Sequence, residues 1–301
     1  MTEGVGSHPS DAPRITNRKT SRKGSMPDPG SLNLATQVTG HQRFLFASIA
    51  RDRSDRELIA AIDKLGDGME NLHFLAGHPS ESALQRGCFQ FLRAEAQNSR
   101  ERDLPHPALL QSQFLVRLEA STEQSFLHFE TQLRMLIAHR GGSVATLAGV
   151  QRPRSYTSQA MTQFAYAGAL QPAPGKQFPL GVVTPLNKTE EWWSMDWMRR
   201  ESFFLPRYDA KGAVMARGHA LAAEPGIPHI VRRLVHAASS YGRKDAYDFI
   251  GYFEFAEEQA PVFRAVMAAL RDVAQNPEWA YVREGPEWWG RRVSQAAELW
   301  E

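Results

Sequence analysis

The sequence predicts an α+β fold in which two ferredoxin-like units form an antiparallel β-barrel with helices outside. Two observations indicate this class. Segments with strand-like alternation and segments with helix-like spacing follow one another along the chain, and the second half repeats the order of the first at low resolution. Helices that cover one face of an antiparallel sheet are typical of this class.

The first unit is predicted at residues 41–150, after a tail. Residues 1–40 combine Ser, Gly, Pro, Lys and Arg with few large apolar side chains, so we expect them to be disordered and without a targeting role. Within the unit, apolar runs and alternation predict strands, and apolar spacings of three and four predict helices. The predicted strands are 44–49, 113–119 and 142–150, and the predicted helices are 54–65, 82–94 and 122–139.

The second unit is predicted at residues 151–301. Its clearest helix begins at Pro261, because proline is tolerated in a first turn and apolar residues follow at steps of three and four as far as Val273. Other helical segments are predicted at 218–221 and after Ile227. Strands are predicted at 179–185, 246–255, 281–283 and 291–293.

Composition and the absence of several short motifs exclude some classes of partner and of active site. The 301 residues include 35 basic and 33 acidic side chains, a net charge of +2, so neither nucleic acid nor a membrane is expected as a partner. The single cysteine, Cys88, excludes a disulfide framework and a CxxC motif, and it favours a cytoplasmic location. The sequence has no phosphate loop, HExxH zinc motif or GxSxG elbow. A small anionic substrate would therefore have to be attracted locally.

The segment from Trp192 to Glu254 is the most informative part of the chain. It contains EWWSMDW at 191, RGHALAAEPGIP at 217, RRLVH at 232 and YDFIGYFEF at 247. This order resembles the C-terminal half of the chlorite dismutase and coproheme decarboxylase superfamily, whose members bind haem through one histidine. The resemblance covers residues 142–294, and only the architecture before them. It implies haem b, that is iron protoporphyrin IX, as the cofactor.

The resemblance also implies a homo-oligomer, either a dimer or a pentamer. A physical reason supports association, because the faces and edges of a sheet in such a barrel need to be covered.

His219 is the iron ligand that the resemblance implies. The family's ligand lies on a helix seventeen residues before a second histidine, and His219 and His236 have this spacing. By spacing alone, a histidine in a helix is more often a surface or core residue. We expect the imidazole to point into a porphyrin-sized cavity between the two units, with Glu278 as the acceptor of its Nδ1 proton.

Arg232 is the residue that the resemblance implies on the open side of the iron. Chlorite-decomposing members have an arginine thirteen positions after the ligand, and Arg232 occupies that position in RRLVH. A guanidinium is always charged and offers forked donors, so it can bind chlorite and retain hypochlorite while dioxygen forms. The alternative is that Arg232 and Arg233 form a solvated basic pair, the role that we expect for Arg233.

Three aromatic residues are implied as contacts of the cofactor. Tyr156, in RPRSYTS, matches a family tyrosine that binds a haem propionate. Trp192 and Trp193 match a tryptophan pair that supplies apolar walls and an indole donor near the haem rim. An unrelated fold could use the same pair as core.

Departures from the family keep other functions open. Thr184 precedes Pro185 where the decarboxylase branch has its reactive tyrosine. Residues 194–216 include an aromatic and basic insertion, and Asn187 stands where the family has a lysine. Decomposition of chlorite to chloride and dioxygen is the preferred function. The alternatives are a haem peroxidase or oxygenase for an organic substrate, a coproheme decarboxylase, and a haem-binding protein without catalytic activity.

Overall fold

The first ferredoxin-like unit consists of four antiparallel strands with helices between them. The computed structural model describes residues 40–75, 89–120, 122–152, 178–243 and 246–301, with the backbone alone for 67–75. The predicted tail lies outside these ranges except for its last residue. The strands are ordered β2-β3-β1-β4 across the sheet. In chain order the elements are β1 (Gly40–Ser48), α1 (Arg56–Leu75), β2 (Phe89–Ala94), α2 (Pro107–Leu110), β3 (Phe114–Ala120), α3 (Gln124–His139) and β4 (Ser143–Gln151).

The second unit repeats this arrangement with the strand order β11-β5-β9-β8, and a separate hairpin, β6–β7, lies in its first connection. None of the helices in the described ranges is long and apolar enough to cross a membrane. The elements are β5 (Leu180–Lys188), α4 (Glu190–Ser194), α5 (Trp197–Ser202), β6 (Arg207–Tyr208), β7 (Val214–Ala216), α6 (Gly218–Ala223), β8 (Ile230–His236), β9 (Phe249–Phe255), α7 (Ala260–Arg271), β10 (Val282–Glu284) and β11 (Trp288–Arg292).

Two joints close the units into one barrel. Strand β11 pairs with β2, and β4 pairs with β8, where Val150 lies opposite His236. Strands β5 and β9 pair within the second unit and complete the ring. The predicted fold class is confirmed. Within the described strands, β4 and β8 pair at this one position, Val150 with His236, and the association of copies expected from the sheet faces and edges stays a prediction.

The barrel interior between the units is filled with side chains. One end of it is apolar, and each fully buried member of the cluster there is at most 7% exposed. The expectation of a porphyrin-sized cavity between the units is therefore wrong. The residues of this cluster come from both units and include Phe44, Phe46, Leu115, Val183, Val235, Ile250 and Trp288.

The other end of the interior is a buried polar network. Arg117 donates to Gln42 and Gln90 at 3.2 Å each and forms an ion pair with Glu119. Arg233 faces the same space and is only 5% exposed. Burial lowers the pKa of Arg233, and the charge of Glu119 partly offsets that effect. The expectation that Arg233 is solvated is wrong.

Two segments predicted as helices are strands. Within 82–94, residues 89–94 form β2, and the chain after Ile227 enters β8. In β8, Val235 packs in the barrel interior and Leu234 packs on the outer face. Because β8 carries apolar residues on both faces, they occur at consecutive positions, and the period of two that identifies a strand is obscured.

Candidate functional site

The outer face of the second unit holds the residues that the sequence singles out. Helix α7 covers one end of this face, where Phe263 packs with Val182 and Phe255. An aromatic cluster that includes Trp192 and Phe249 covers the other end.

Between these ends lies one row of paired residues: Thr184 on β5, Gly251 on β9 and Leu234 on β8. We call this row the central strip. A Cβ atom at position 251 would lie 2.6 Å from Thr184 Oγ1, so only glycine fits there without a shift. The strip is therefore flat.

Helix α6 brings His219 to this face. Ala222, one turn after His219, packs with Val182 and Phe255 on the outer face. The helix begins at Gly218, whose φ of +61° suits glycine, and a Cβ atom there would lie 2.4 Å from the carbonyl oxygen of Leu205. The start of α6 is thus fixed against the preceding segment.

The imidazole of His219 is oriented by a buried carboxylate. Nδ1 of His219 lies 2.7 Å from Oε2 of Glu278. Glu278 belongs to the 3-10 turn Pro277–Tyr281 and is 4% exposed. The structure therefore brings together the two residues that the sequence paired, although the roles proposed for them stay predictions.

Lys188 completes this chain of charges. Its Nζ donates to Oε1 of Glu278 at 2.6 Å and lies 4.1 Å from the ring centroid of Trp192. Burial alone would raise the pKa of Glu278, but the charge of Lys188 and the hydrogen bonds with His219 and Lys188 outweigh it and hold that pKa well below its ordinary value. Glu278 is therefore ionised at neutral pH.

Lys188 directly follows Asn187, the position at which the resemblance expects a family lysine to be replaced. Asn187 accepts a hydrogen bond from the backbone of Asp248 at 2.7 Å. A signal for Lys188 exists in the sequence, since positions 184, 186 and 188 of one strand share a face.

The geometry fixes which ring nitrogen of His219 suits a metal ion. When a carboxylate accepts the Nδ1 proton, the neutral ring presents the lone pair of Nε2. Within the described ranges, no three His, Cys, Asp or Glu side chains converge as a metal site would require. A metal ion bound at His219 would thus need other ligands, which a porphyrin provides.

Arg232 projects from β8 onto the same outer face as α6. It lies opposite Phe253 in the register with β9, two residue pairs from the central strip, and is half-buried. Its neighbour Arg233 faces the barrel interior, so the RR dipeptide divides between two environments.

The two predicted tryptophans occupy different environments. Trp192 is 0% exposed, and its ring contacts Phe203 and Phe204. It therefore packs in the core beside Lys188 and the segment before the histidine helix. Trp193 is half-buried, and its Nε1 donates to Asp248 at 3.2 Å. Their contacts with a cofactor remain predictions.

Asp248 was not expected from the sequence. It accepts hydrogen bonds from Trp193, from the backbone of Lys188 at 2.7 Å and from the backbone of Gly242. Burial raises its pKa. Tyr156, predicted as a propionate ligand, lies outside the described residues.

The comparisons with known proteins reach only the level of fold. No protein-family model and no curated protein matches the sequence. An Arg-to-Glu variant of chlorite dismutase from Candidatus Nitrospira defluvii matches with a TM-score of 0.58 and 19% identity, over 89% of this chain and 96% of that one. The same protein in complex with imidazole matches over the same shares with a TM-score of 0.58 and 20% identity. The chain has the chlorite dismutase fold.

The chlorite dismutase fold confirms the architecture that the resemblance implied. A further protein with a provisional chlorite dismutase name matches at 12% identity and a TM-score of 0.54, over 87% of this chain and 97% of that one. At these identities the likeness concerns the fold, and chemistry has to be argued from the residues of this chain.

Proposed function

We propose that the chain binds haem b through His219 and acts as an oxidoreductase that converts chlorite to chloride and dioxygen. The observation that carries this proposal is the buried chain from His219 through Glu278 to Lys188, with distances of 2.7 Å and 2.6 Å. An acceptor on Nδ1 fixes the ring and raises its basicity, which is the usual environment of a histidine that binds haem iron.

The residues present fit a haem. The central strip is flat because Gly251 has no room for a side chain, and partly exposed apolar side chains, Leu234 and Phe253, lie in and beside it. A planar apolar ring system is stabilised on such a surface by the burial of its faces. Bound haem would supply the redox-active iron that the reaction requires.

Glu278 and Lys188 keep His219 in one tautomer and one orientation. The carboxylate stays ionised because of the adjacent ammonium group, so it accepts the Nδ1 proton throughout the neutral pH range. The pair is buried, at 5% side-chain exposure for each partner, and water does not compete for the hydrogen bonds.

Arg232 is the residue proposed to bind the substrate. Chlorite is a small anion, and the net charge of the protein gives no long-range attraction for it. A half-buried guanidinium beside the central strip provides that attraction locally, because its forked donors match two oxygens of an oxyanion.

The central strip disfavours decarboxylation of coproheme. Thr184, 4% exposed, is the strip residue at the position before Pro185, and a threonine has no phenol from which a radical could form. We expect the purified protein to yield no haem b from coproheme and peroxide.

A haem peroxidase or oxygenase for an organic molecule is the second candidate. The insertion next to the histidine helix exposes large apolar side chains, among them Trp197, Met198 and Met215 at 50%, 63% and 64%. The backbone of His219 donates to the carbonyl of Phe203 within this insertion at 3.2 Å. An apolar substrate bound there would change the haem spectrum and release no oxygen.

We also propose that copies of the chain associate into a dimer or pentamer and that the protein is cytoplasmic. The exposed apolar side chains of the insertion support association, because a surface of this kind gains free energy when it is covered. The single cysteine supports a reducing compartment. Light scattering of the purified protein measures the number of subunits.

The experiment that tests the function is an oxygen-electrode measurement on haem-loaded protein. Addition of chlorite should release one dioxygen per chlorite consumed, and Arg232→Gln should reduce the rate while haem remains bound. Arg199→Gln, which removes an exposed arginine of α5, should leave the rate unchanged. Haem binding without oxygen release from the unmodified protein would reject the reaction and retain the cofactor.

A further inference from the structure

Asp248 joins three segments of the second unit through one carboxylate. It lies directly before β9 and is 1% exposed. One of its oxygens accepts hydrogen bonds from the backbone of Lys188 at 2.7 Å and from Nε1 of Trp193 at 3.2 Å. The other oxygen accepts a hydrogen bond from the backbone of Gly242. The end of β5, helix α4 and the loop after β8 are therefore fastened to the same side chain.

The position of Asp248 requires an acceptor on both sides of the side chain. Each of the three groups that bind it is an N–H donor, and an ionised carboxylate accepts on both oxygens. Burial raises the pKa of Asp248, and the hydrogen bonds and the charge of Lys188 oppose that effect. Gly242 has a φ of +75°, which suits glycine. An amide in place of the carboxylate could accept on one side only.

The carboxylate fastens two stacked aromatic rings. The rings of Trp193 and Tyr241 are 13° from parallel, with centroids 4.6 Å apart, and we call this pair the aromatic wall. Both rings also stack on Phe249, at centroid distances of 6.1 Å and 5.3 Å. Asp248 holds Trp193 through the indole N–H, and it holds Tyr241 through the neighbouring residue, Gly242. Both rings of the wall therefore depend on one side chain.

The aromatic wall lies beside the central strip. Phe249, which carries the wall, pairs with Leu186 of β5 and with His236 of β8, two residues along each strand from the strip. Side chains two residues apart share a face, and their separation is about 7 Å at the usual rise. Arg232 lies two residues from the strip in the opposite direction. The wall and Arg232 therefore bound the strip at its two ends.

We propose that Asp248 is a positioning residue that fixes the aromatic wall and thereby limits the width of the planar ligand that the central strip accepts. This inference rests on the proposed haem binding. Asp248 itself is buried and acts through the two rings. A planar macrocycle with small groups on its rim fits beside a fixed wall, whereas bulky groups on the rim meet the rings.

The first test observes the wall in the haem-free protein by nuclear magnetic resonance. The indole N–H signal of Trp193 is identified by its absence from Trp193→Phe. Asp248→Ala should shift this signal and speed its exchange with solvent hydrogen, because the indole loses its acceptor. Asp248→Asn should stay close to the wild type, since its amide oxygen can still accept from Trp193 and Lys188. An unchanged signal in Asp248→Ala would overturn the inference.

The second test compares haem with an iron porphyrin that carries four sulfonatophenyl groups on its rim, in absorption titrations. Wild-type protein should bind haem more tightly than the wider porphyrin. Asp248→Ala should reduce the ratio of the two affinities about 10-fold, the effect of one lost hydrogen bond. Trp193→Phe keeps a ring without the N–H and leaves the bond to Lys188 intact, so it should change the ratio in the same direction. Asp52→Ala, which alters an exposed aspartate of the first unit, should leave the ratio unchanged.

Combination of the two substitutions tests whether Asp248 acts through Trp193. Both remove the same hydrogen bond, so the double variant Asp248→Ala with Trp193→Phe should reduce the ratio no further than Asp248→Ala alone. Additive effects, or a wild-type ratio in both single variants, would overturn the inference and leave haem binding intact. Failure of the wild-type protein to bind haem overturns both the inference and the proposed function.

Discussion

Nδ1 of His219 lies 2.7 Å from one oxygen of Glu278, and the other oxygen of Glu278 accepts a hydrogen bond from Lys188. The imidazole is thus held by the protein alone. A ligand that is oriented before the metal arrives loses less conformational entropy on binding.

Replacement of Glu278 by Gln should destabilise the protein and weaken haem binding. The substitution leaves the ammonium group of Lys188 buried without a carboxylate, which costs about 3–5 kcal/mol in the free energy of unfolding. Loss of the acceptor on Nδ1 should lower haem affinity about 10- to 100-fold. Urea unfolding without haem and absorption titration with haem measure the two effects separately.

The double variant Lys188→Met with Glu278→Gln is the matched control. It removes both charges, so it should recover most of the lost stability while haem affinity stays low. Recovery of haem affinity together with stability would show that Glu278 acts on folding only.

A fall in pH should remove the contribution of Glu278 to the free energy of unfolding. The pKa of Glu278 in the folded protein lies below its ordinary value of 4.5, so its contribution to stability is complete above that value and is lost as the pH falls towards the folded pKa. The difference in unfolding free energy between wild type and Glu278→Gln should therefore shrink below pH 4.5. Asp248 has a raised pKa and the opposite dependence, but it is common to both proteins and cancels in the difference.

Gly218 should tolerate alanine poorly, because the histidine helix begins there. Its φ is +61°, and a Cβ atom would lie 2.4 Å from the Leu205 carbonyl oxygen. Gly212 provides the comparison, since its φ is +81° and no atom lies within 4 Å of its Cβ position.

Both alanine variants carry backbone strain of about 1–2 kcal/mol, but only Gly218→Ala also displaces α6. We expect Gly218→Ala to unfold at a lower urea concentration than Gly212→Ala and to bind haem more weakly. Equal behaviour of the two would mean that this contact does not position His219.

Replacement of Arg232 by Gln should lower turnover of chlorite about 100-fold, a typical effect of removing one donor to a reacting oxyanion. Because the side chain is only half-buried, haem affinity and stability should change less than turnover. Stopped-flow oxygen release at several chlorite concentrations separates binding from turnover. Arg232→Lys keeps the charge but loses the forked donors, so it should be intermediate.

The sequence predicted correctly those helices and strands whose two faces differ in polarity. The helix that begins near Pro261 is amphipathic, and it forms α7 with Phe263, Val266 and Leu270 buried. Strand β8 was missed because it carries apolar residues on both faces, and its arginines lie one in the barrel interior and one on the outer face. Only the tertiary arrangement shows which of the two arginines is buried in the barrel.

The sequence predicted those site residues that lie in recognisable motifs. His219 and Glu278 are 59 residues apart, and the resemblance paired them correctly as neighbours. Lys188 was not anticipated, although strand alternation places positions 184, 186 and 188 on one face.

Reconstitution with haem tests the central claim most directly. Wild-type protein and the control His128→Ala, which alters an exposed histidine of α3 in the other unit, should give a Soret band and bind haem stoichiometrically. His219→Ala should lose that band, and added imidazole should restore it by taking the vacated position. An unchanged Soret band and affinity in His219→Ala would contradict the account.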